Sequence, residues 1–170
     1  MLLTELHWVP MAHARRLAVS ARPRGGDWLE DQLSAWRAAG VHVVVSLLEL
    51  EEEAELQLAS ESAIASANGI EFVRFPIADR AVPESHEAFA QLVAALAEQI
   101  RNGKSVAVHC RQGIGRAATL AVAILVRLGS EVTSAIAAVS AARGREVPET
   151  PEQRTFLAEF AERRVVEPPA

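Results

Sequence analysis

Four short apolar runs, rich in β-branched or aromatic residues, are spaced along the first two thirds of the chain, and helical periodicity fills the stretches between them. RLAVSA (16–21), VHVVVSLL (41–48), IEFVRF (70–75) and SVAVH (105–109) are the wrong composition for helices of that length and predict buried strands. Leu29, Leu33 and Trp36 share one helical face that stops at Gly40, and Asp27 with Glu30 three residues on predicts a capping box at its start. Glu51, Glu52 and Glu53 suit the positive end of a second helix, drawn from there to Asn68-Gly69. Phe89, Leu92, Val93, Leu96 and Ile100 mark a third, ending at Asn102-Gly103. Beyond residue 109 only helices follow: one to Gly129, one with Val132, Ile136 and Val139 on a face, and one from near Pro151, with VVEPPA (165–170) as a frayed tail. Strands alternating with helices predict an α/β fold, a mostly parallel sheet flanked by helices in a single domain over 1–170.

Composition narrows the partners. The 170 residues carry 17 basic and 22 acidic side chains, a formal charge of −5, with no basic run to attract nucleic acid or an anionic membrane. The longest apolar run, AATLAVAILV (117–126), is well short of the roughly 20 residues a membrane span needs. The N-terminal stretch has no basic segment ahead of an apolar one and carries Glu5, so no secretory signal is predicted. The single cysteine, Cys110, excludes an intrachain disulfide and fits a reducing, cytoplasmic setting. No metal or other cofactor is expected: His7, His13, His42 and His86 lack partners at metal-ligand spacing and are expected to be structural. Oligomeric state leaves no signature in the chain.

Chemistry concentrates in HCRQGIGRAATL (109–120). The fourth strand ends at Cys110, a loop follows with Gly113 and Gly115, and a helix opens near Arg116. Such a loop turns the backbone N–H groups of Arg111, Gln112, Gly113, Ile114, Gly115 and Arg116 toward an anion, and the helix N-terminus adds partial positive charge. That field favours the thiolate of Cys110. Arg116, with its planar fork, can grip two oxygens of a phosphate where Lys could not.

These residues resemble the signature of the cysteine-dependent protein tyrosine and dual-specificity phosphatases, His-Cys-x5-Arg followed by Ser or Thr; the match covers His109, Cys110, Gly113 and Arg116. In order and size of elements, residues 16–163 are similar to the compact dual-specificity type. The resemblance implies Cys110 as nucleophile, Arg116 as phosphate ligand, and an aspartic acid from an upstream loop as the proton donor to the leaving oxygen. Asp27 and Asp31 belong to the first helix, which leaves Asp79 in PIADRAVP (76–83). Gln153 resembles a water-orienting glutamine of several relatives, yet Thr150, Pro151 and Gln153 also read as the N-cap, first and third positions of a helix, and the two roles compete for one amide. His109 is expected to support the loop by hydrogen bonding within it, since strand alternation points it away from the pocket of Cys110. Arg111, with Arg22, Arg24 and Arg80, is a candidate for a basic rim.

The signature is incomplete at one place. Ala117 stands where the family carries the hydroxyl that donates to the cysteine sulfur. Such a bond to a charged group is worth roughly 1.5–3 kcal/mol. The expectation is an active but slow phosphatase, acting on phosphotyrosine and also on phosphoserine and phosphothreonine in a protein or peptide, whose cysteinyl-phosphate breaks down slowly. Thr119 lies two residues further along, and nothing in the sequence shows whether its hydroxyl substitutes. The competing readings are a phosphate-recognising module without turnover, a phosphoinositide phosphatase, disfavoured by the absence of lysine from CRQGIGR, and a sulfurtransferase or arsenate reductase, disfavoured by the lone cysteine and the well-placed Asp79.

Overall fold

The computed structural model describes residues 3–11 and 16–166, with side chains to Arg163. In chain order the elements are β1 (His7–Trp8), β2 (Leu17–Ser20), a 3-10 turn (Gly26–Trp28), α1 (Leu29–Ala38), β3 (Val43–Ser46), α2 (Leu50–Glu55), α3 (Glu61–Ala67), β4 (Glu71–Arg74), α4 (His86–Arg101), β5 (Val106–His109), α5 (Arg116–Arg127), α6 (Val132–Arg143) and α7 (Pro151–Val166). The five strands form one sheet in the order β1-β2-β5-β3-β4. β2, β5, β3 and β4 run parallel, and only the short β1 lies antiparallel, on β2. β5 therefore occupies the middle of the sheet, and the loop leaving its carboxyl end lies among the loops that leave β2, β3 and β4.

The alternation of side chains across the sheet divides the core in two. Leu17, Val19, Val43, Val45, Val106, Val108 and then Cys110 point to the face covered by α4, α5 and α7, where Phe89, Leu120, Ile124, Phe156 and Leu157 are buried. Ala18, Val44 and Ala107 point to the other face, packed by Leu29, Leu33 and Trp36 of α1 and by Leu58 and Ala65. α5 is buried from Arg116 through Val126, because helices and sheet surround it on all sides. That is why its sequence is apolar all round rather than striped.

Three local expectations are corrected. The capping box of Asp27 and Glu30 does not form: Trp28 is the N-cap of α1, makes no side-chain capping bond, and is the last residue of a 3-10 turn that holds Asp27. The helix drawn from Glu51 to Asn68 is two helices, α2 and α3, separated at Gln57, whose φ is 58°. The break lets Leu58 enter the core, and the carbonyl of Gln57 accepts the N–H of Gly26 at 2.9 Å. No glycine or proline marks the break, because tertiary contacts impose it. Glu52 and Glu53, assigned to the helix end, are both buried and each pairs with a distant arginine. At the C-terminus residues 165 and 166, expected in a frayed tail, are the last two of α7; residues 167–170, like His13, lie outside the described residues.

Candidate active site

The loop from Cys110 to Gly115 turns tightly because two glycines let other chain segments close on it. Gly113 has φ 71°, and a Cβ there would stand 2.4 Å from the carbonyl oxygen of Ser20, so both its conformation and its contact with the end of β2 require glycine. A Cβ on Gly115 would stand 2.5 Å from Glu149 Oε1 and 3.0 Å from Gln153 Nε2. The sulfur of Cys110 accepts the N–H of Gly113 at 3.2 Å. Cys110, Arg111, Gln112, Ile114, Gly115 and Arg116 line an open pocket of about 200 Å³, closed at the sides by Asp79, Arg80 and Glu149. The structure thus brings Cys110, Arg116, Asp79 and the loop backbone together at one mouth.

Arg116, at the start of α5, is only 2 % exposed, and such a charge is tolerated only when paired and fully hydrogen-bonded. Its Nη1 donates to Glu52 Oε2 at 2.7 Å and to the carbonyl of Ile77 at 2.8 Å; its Nη2 donates to Glu52 Oε1 at 3.0 Å and to Asp79 Oδ1 at 2.9 Å. The fork-to-fork pair with Glu52 fixes the plane of the guanidinium. Glu52 also accepts the N–H of Glu49 at 3.0 Å and Arg111 Nε at 3.2 Å. Burial pushes its carboxyl up, but the hydrogen bonds from Arg116, Glu49 and Arg111 outweigh burial and hold it at about 2. Asp79 is 55 % exposed at its side chain. It sits in a turn in which the N–H of Ala81 bonds the carbonyl of Ala78 at 3.0 Å and Arg80 takes a left-handed φ of 61°.

The remaining expected residues fall into place unequally. Arg111 reaches the pocket, but its guanidinium pairs with Glu52 and, at 3.0 Å, with Glu55. Arg80 also lines the mouth and donates to Glu149 Oε2 at 3.0 Å. Arg24 instead lies over the ring of Trp28, away from this pocket. Gln153 is fully buried and forms the capping box: Thr150 N–H donates to its Oε1 at 3.2 Å, its own N–H donates to Thr150 Oγ1 at 3.1 Å, and its Nε2 donates to the Ala81 carbonyl at 3.2 Å. It thereby ties α7 to the Asp79 loop. Thr119 Oγ1 donates to the carbonyl of Gly115 at 2.9 Å, so that hydroxyl bonds its own helix. His109 is corrected: its partner is not in the loop but on the opposite face of the sheet, where Nε2 lies 2.8 Å from Glu61 Oε1 and the ring tilts against Trp36. Of the other histidines, His42 Nδ1 accepts the N–H of Ser105 at 3.1 Å and His86 stacks on Phe156. Among the described residues no group of three His, Cys, Asp or Glu side chains is arranged to hold a metal ion.

Glu52, Glu149 and Arg143 were not singled out from sequence. Glu52 looked like an ordinary acidic residue in a first helical turn. Glu149 and Arg143 sit at the start of a turn and the end of a helix, where charged residues are common and carry no distinguishing signal.

A parallel-sheet strand that delivers a thiol to the Gly113 N–H at the start of a helix, with an arginine locked beside it and a carboxylic acid on the loop after β4, defines a cysteine-dependent phosphatase of the compact dual-specificity type. A family profile described as a polymorphic toxin system DSP-PTPase phosphatase matches residues 19–130, and the chain belongs to that family of phosphoric monoester hydrolases. Searches of curated proteins find no match by sequence. Among solved structures, kinase associated phosphatase carrying serine in place of its catalytic-site cysteine is similar at TM-score 0.88 and 17 % identity, with 99 % of each chain covered. Tk-PTP in its active form gives TM-score 0.75 and 29 % identity over 93 % of this chain and 97 % of that one. PTPMT1 in complex with PI(5)P gives TM-score 0.73 and 22 % identity over 89 % and 93 %.

Proposed function

We propose that the protein hydrolyses phosphotyrosine, and with it phosphoserine and phosphothreonine, in a protein or peptide through a cysteinyl-phosphate on Cys110, in a cytoplasmic setting. The observation that carries this reading is the convergence of Cys110, whose Sγ accepts the Gly113 N–H, and the Glu52-locked Arg116 on one open pocket. The thiolate attacks phosphorus, the bond to the ester oxygen breaks, and Asp79 gives that oxygen its proton. Water then attacks phosphorus, the carboxylate of Asp79 takes the water's proton, and the S–P bond breaks to return thiolate and inorganic phosphate. Asp79 Oδ1 accepts from Nη2 of Arg116. A bound phosphate competes for that nitrogen and frees Asp79 to approach the leaving oxygen.

The second step is slow. Thiolate must leave phosphorus, and neither Ala117 nor the committed hydroxyl of Thr119 supplies the donor that would stabilise it. Rapid-quench kinetics with p-nitrophenyl phosphate, with Cys110→Ser as the blank, test this. A burst of nitrophenol near one equivalent followed by a slow steady state is the expected result. Release that does not depend on Cys110 would overturn the mechanism, and fast turnover without a burst would overturn the slow step. PI(5)P bound to PTPMT1 favours a second reading, a phosphoinositide substrate. A kcat/KM higher for short-chain phosphatidylinositol phosphates than for phosphotyrosine peptides would select it.

A further inference from the structure

Arg143, the last residue of α6, does not line the pocket, yet its guanidinium grips the loop from behind. Nε donates to the carbonyl of Gly113 at 3.0 Å and Nη2 to the carbonyl of Gln112 at 3.1 Å. A trans peptide is planar, with C=O and N–H on opposite edges. A carbonyl held from outside the loop therefore turns the N–H of the following residue inward. The carbonyl of Gln112 and the N–H of Gly113 belong to one peptide unit, and that N–H is the one that donates to Cys110 Sγ at 3.2 Å. The carbonyl of Gly113 and the N–H of Ile114, which lines the pocket, form the next unit.

We propose that Arg143 is a positioning residue for the nucleophile: by clamping two consecutive carbonyls outward it keeps the Gly113 and Ile114 amides facing the sulfur and the phosphate, and so carries part of the task that a hydroxyl at position 117 performs elsewhere in the family. This rests on the reading of Cys110 as nucleophile. Two further observations support it. The same loop abuts the backbone of Ser20, close enough that Gly113 admits no Cβ, so Gly113 is held by the end of β2 as well as by Arg143. Arg143 also feels the charge of Cys110: burial lowers its guanidinium from the ordinary value, and the thiolate acts against that, with Glu5 on the same side and Arg145 opposed. His7 is the other titratable group near it. A guanidinium bonding its own helix terminus would merely cap α6, but this one spans to another loop with two separate nitrogens, which a lysine cannot reproduce.

Alkylation of Cys110, the single cysteine of the chain, tests the proposal independently of turnover. Iodoacetamide rates are measured from pH 5 to 10 for the wild type, Arg143→Lys, Arg143→Met and Arg143→Met with Ala117→Ser, each checked for folding by circular dichroism. In Arg143→Met the ratio of the rate at pH 6 to that at pH 10 falls about tenfold, the worth of one hydrogen bond to a charged group. Arg143→Lys falls in between, and Ala117→Ser restores much of the ratio. Because Lys keeps the charge and the stem, Arg143→Lys decides the matter if the Met variant does not fold. An unchanged ratio in folded Arg143→Lys and Arg143→Met overturns the proposal. A wild type whose thiol reacts readily at pH 6 but shows no Cys110-dependent phosphatase activity sinks the phosphatase reading alone, and the Arg143 effect then still supports the clamp.

Discussion

A methyl group at position 117 and a glycine at position 113 set the chemistry of the sulfur from two directions: one withholds a donor, the other supplies its backbone N–H. Ala117→Ser restores a hydroxyl beside the thiolate and should shrink the nitrophenol burst while raising kcat about tenfold, measured by the same rapid-quench experiment. Asp79→Asn removes the proton donor of the first step and should lower kcat/KM, which reports that step, by about two to three orders of magnitude on an alkyl phosphate and less on p-nitrophenyl phosphate, whose leaving group needs little protonation. Equal losses on both substrates would argue that Asp79 acts by holding Arg116 rather than by giving a proton. Gly113→Ala drives a Cβ into the carbonyl of Ser20 and imposes a left-handed φ on a residue with a side chain. A loss of about 1–3 kcal/mol in urea unfolding, together with loss of activity, is the expected outcome.

Two element junctions hold the site in shape. The start of α2 meets the start of α5 through Glu52 and Arg116, and the start of α7 meets the Asp79 loop through Gln153. Glu52→Gln leaves the Arg116 charge buried with Asp79 as its remaining carboxylate partner, and breaking such a pair costs about 3 kcal/mol or more. Phosphate affinity, read as competitive inhibition by inorganic phosphate, should weaken along with kcat/KM, since the guanidinium loses its fixed plane. Gln153→Ala removes the reciprocal cap of α7 and the bond to Ala81, and should lower Tm by about 2–4 °C. If Tm holds while hydrolysis of the phosphoenzyme slows, the amide serves water and not the helix.

Across the whole molecule the pairing of Glu52 makes stability depend on acid. Its carboxyl is held at about 2 against an ordinary value of 4.5. A depressed carboxyl contributes stability that is complete above the unfolded value and lost as pH falls through the folded one. Urea midpoints for the wild type should therefore decline as pH drops from 4.5 toward 2, and Glu52→Gln should show a shallower decline over the same window. The order β2-β5-β3 produces this coupling, because it sets the loop after β5 beside the segment leaving β3, which leads into α2.

Patterns confined to neighbours in the chain were legible without coordinates. Valine-rich apolar runs at 43–45 and 106–108 marked strands, and a thiol between a strand and an apolar helix with Arg116 after the glycines marked the candidate site. The resemblance called for an aspartate on an upstream loop, and with Asp27 and Asp31 assigned to the first helix only Asp79 was left. What those signals omit is which distant side chain answers a buried charge. Glu52 and Glu53 look identical as neighbours in LEEEAE, yet one locks Arg116 and the other Arg74, and the break at Gln57 has no breaker residue because Leu58 is drawn into the core from outside the helix. Arg143 and His109 follow the same logic, finding the back of the loop and Glu61 only when the helices have docked on their faces of the sheet. Periodicity and turn chemistry are properties of a few consecutive residues, and so they survive in the bare sequence. The partner of a charge is chosen by strand order and the face on which each helix packs, so it exists only once the sheet is assembled.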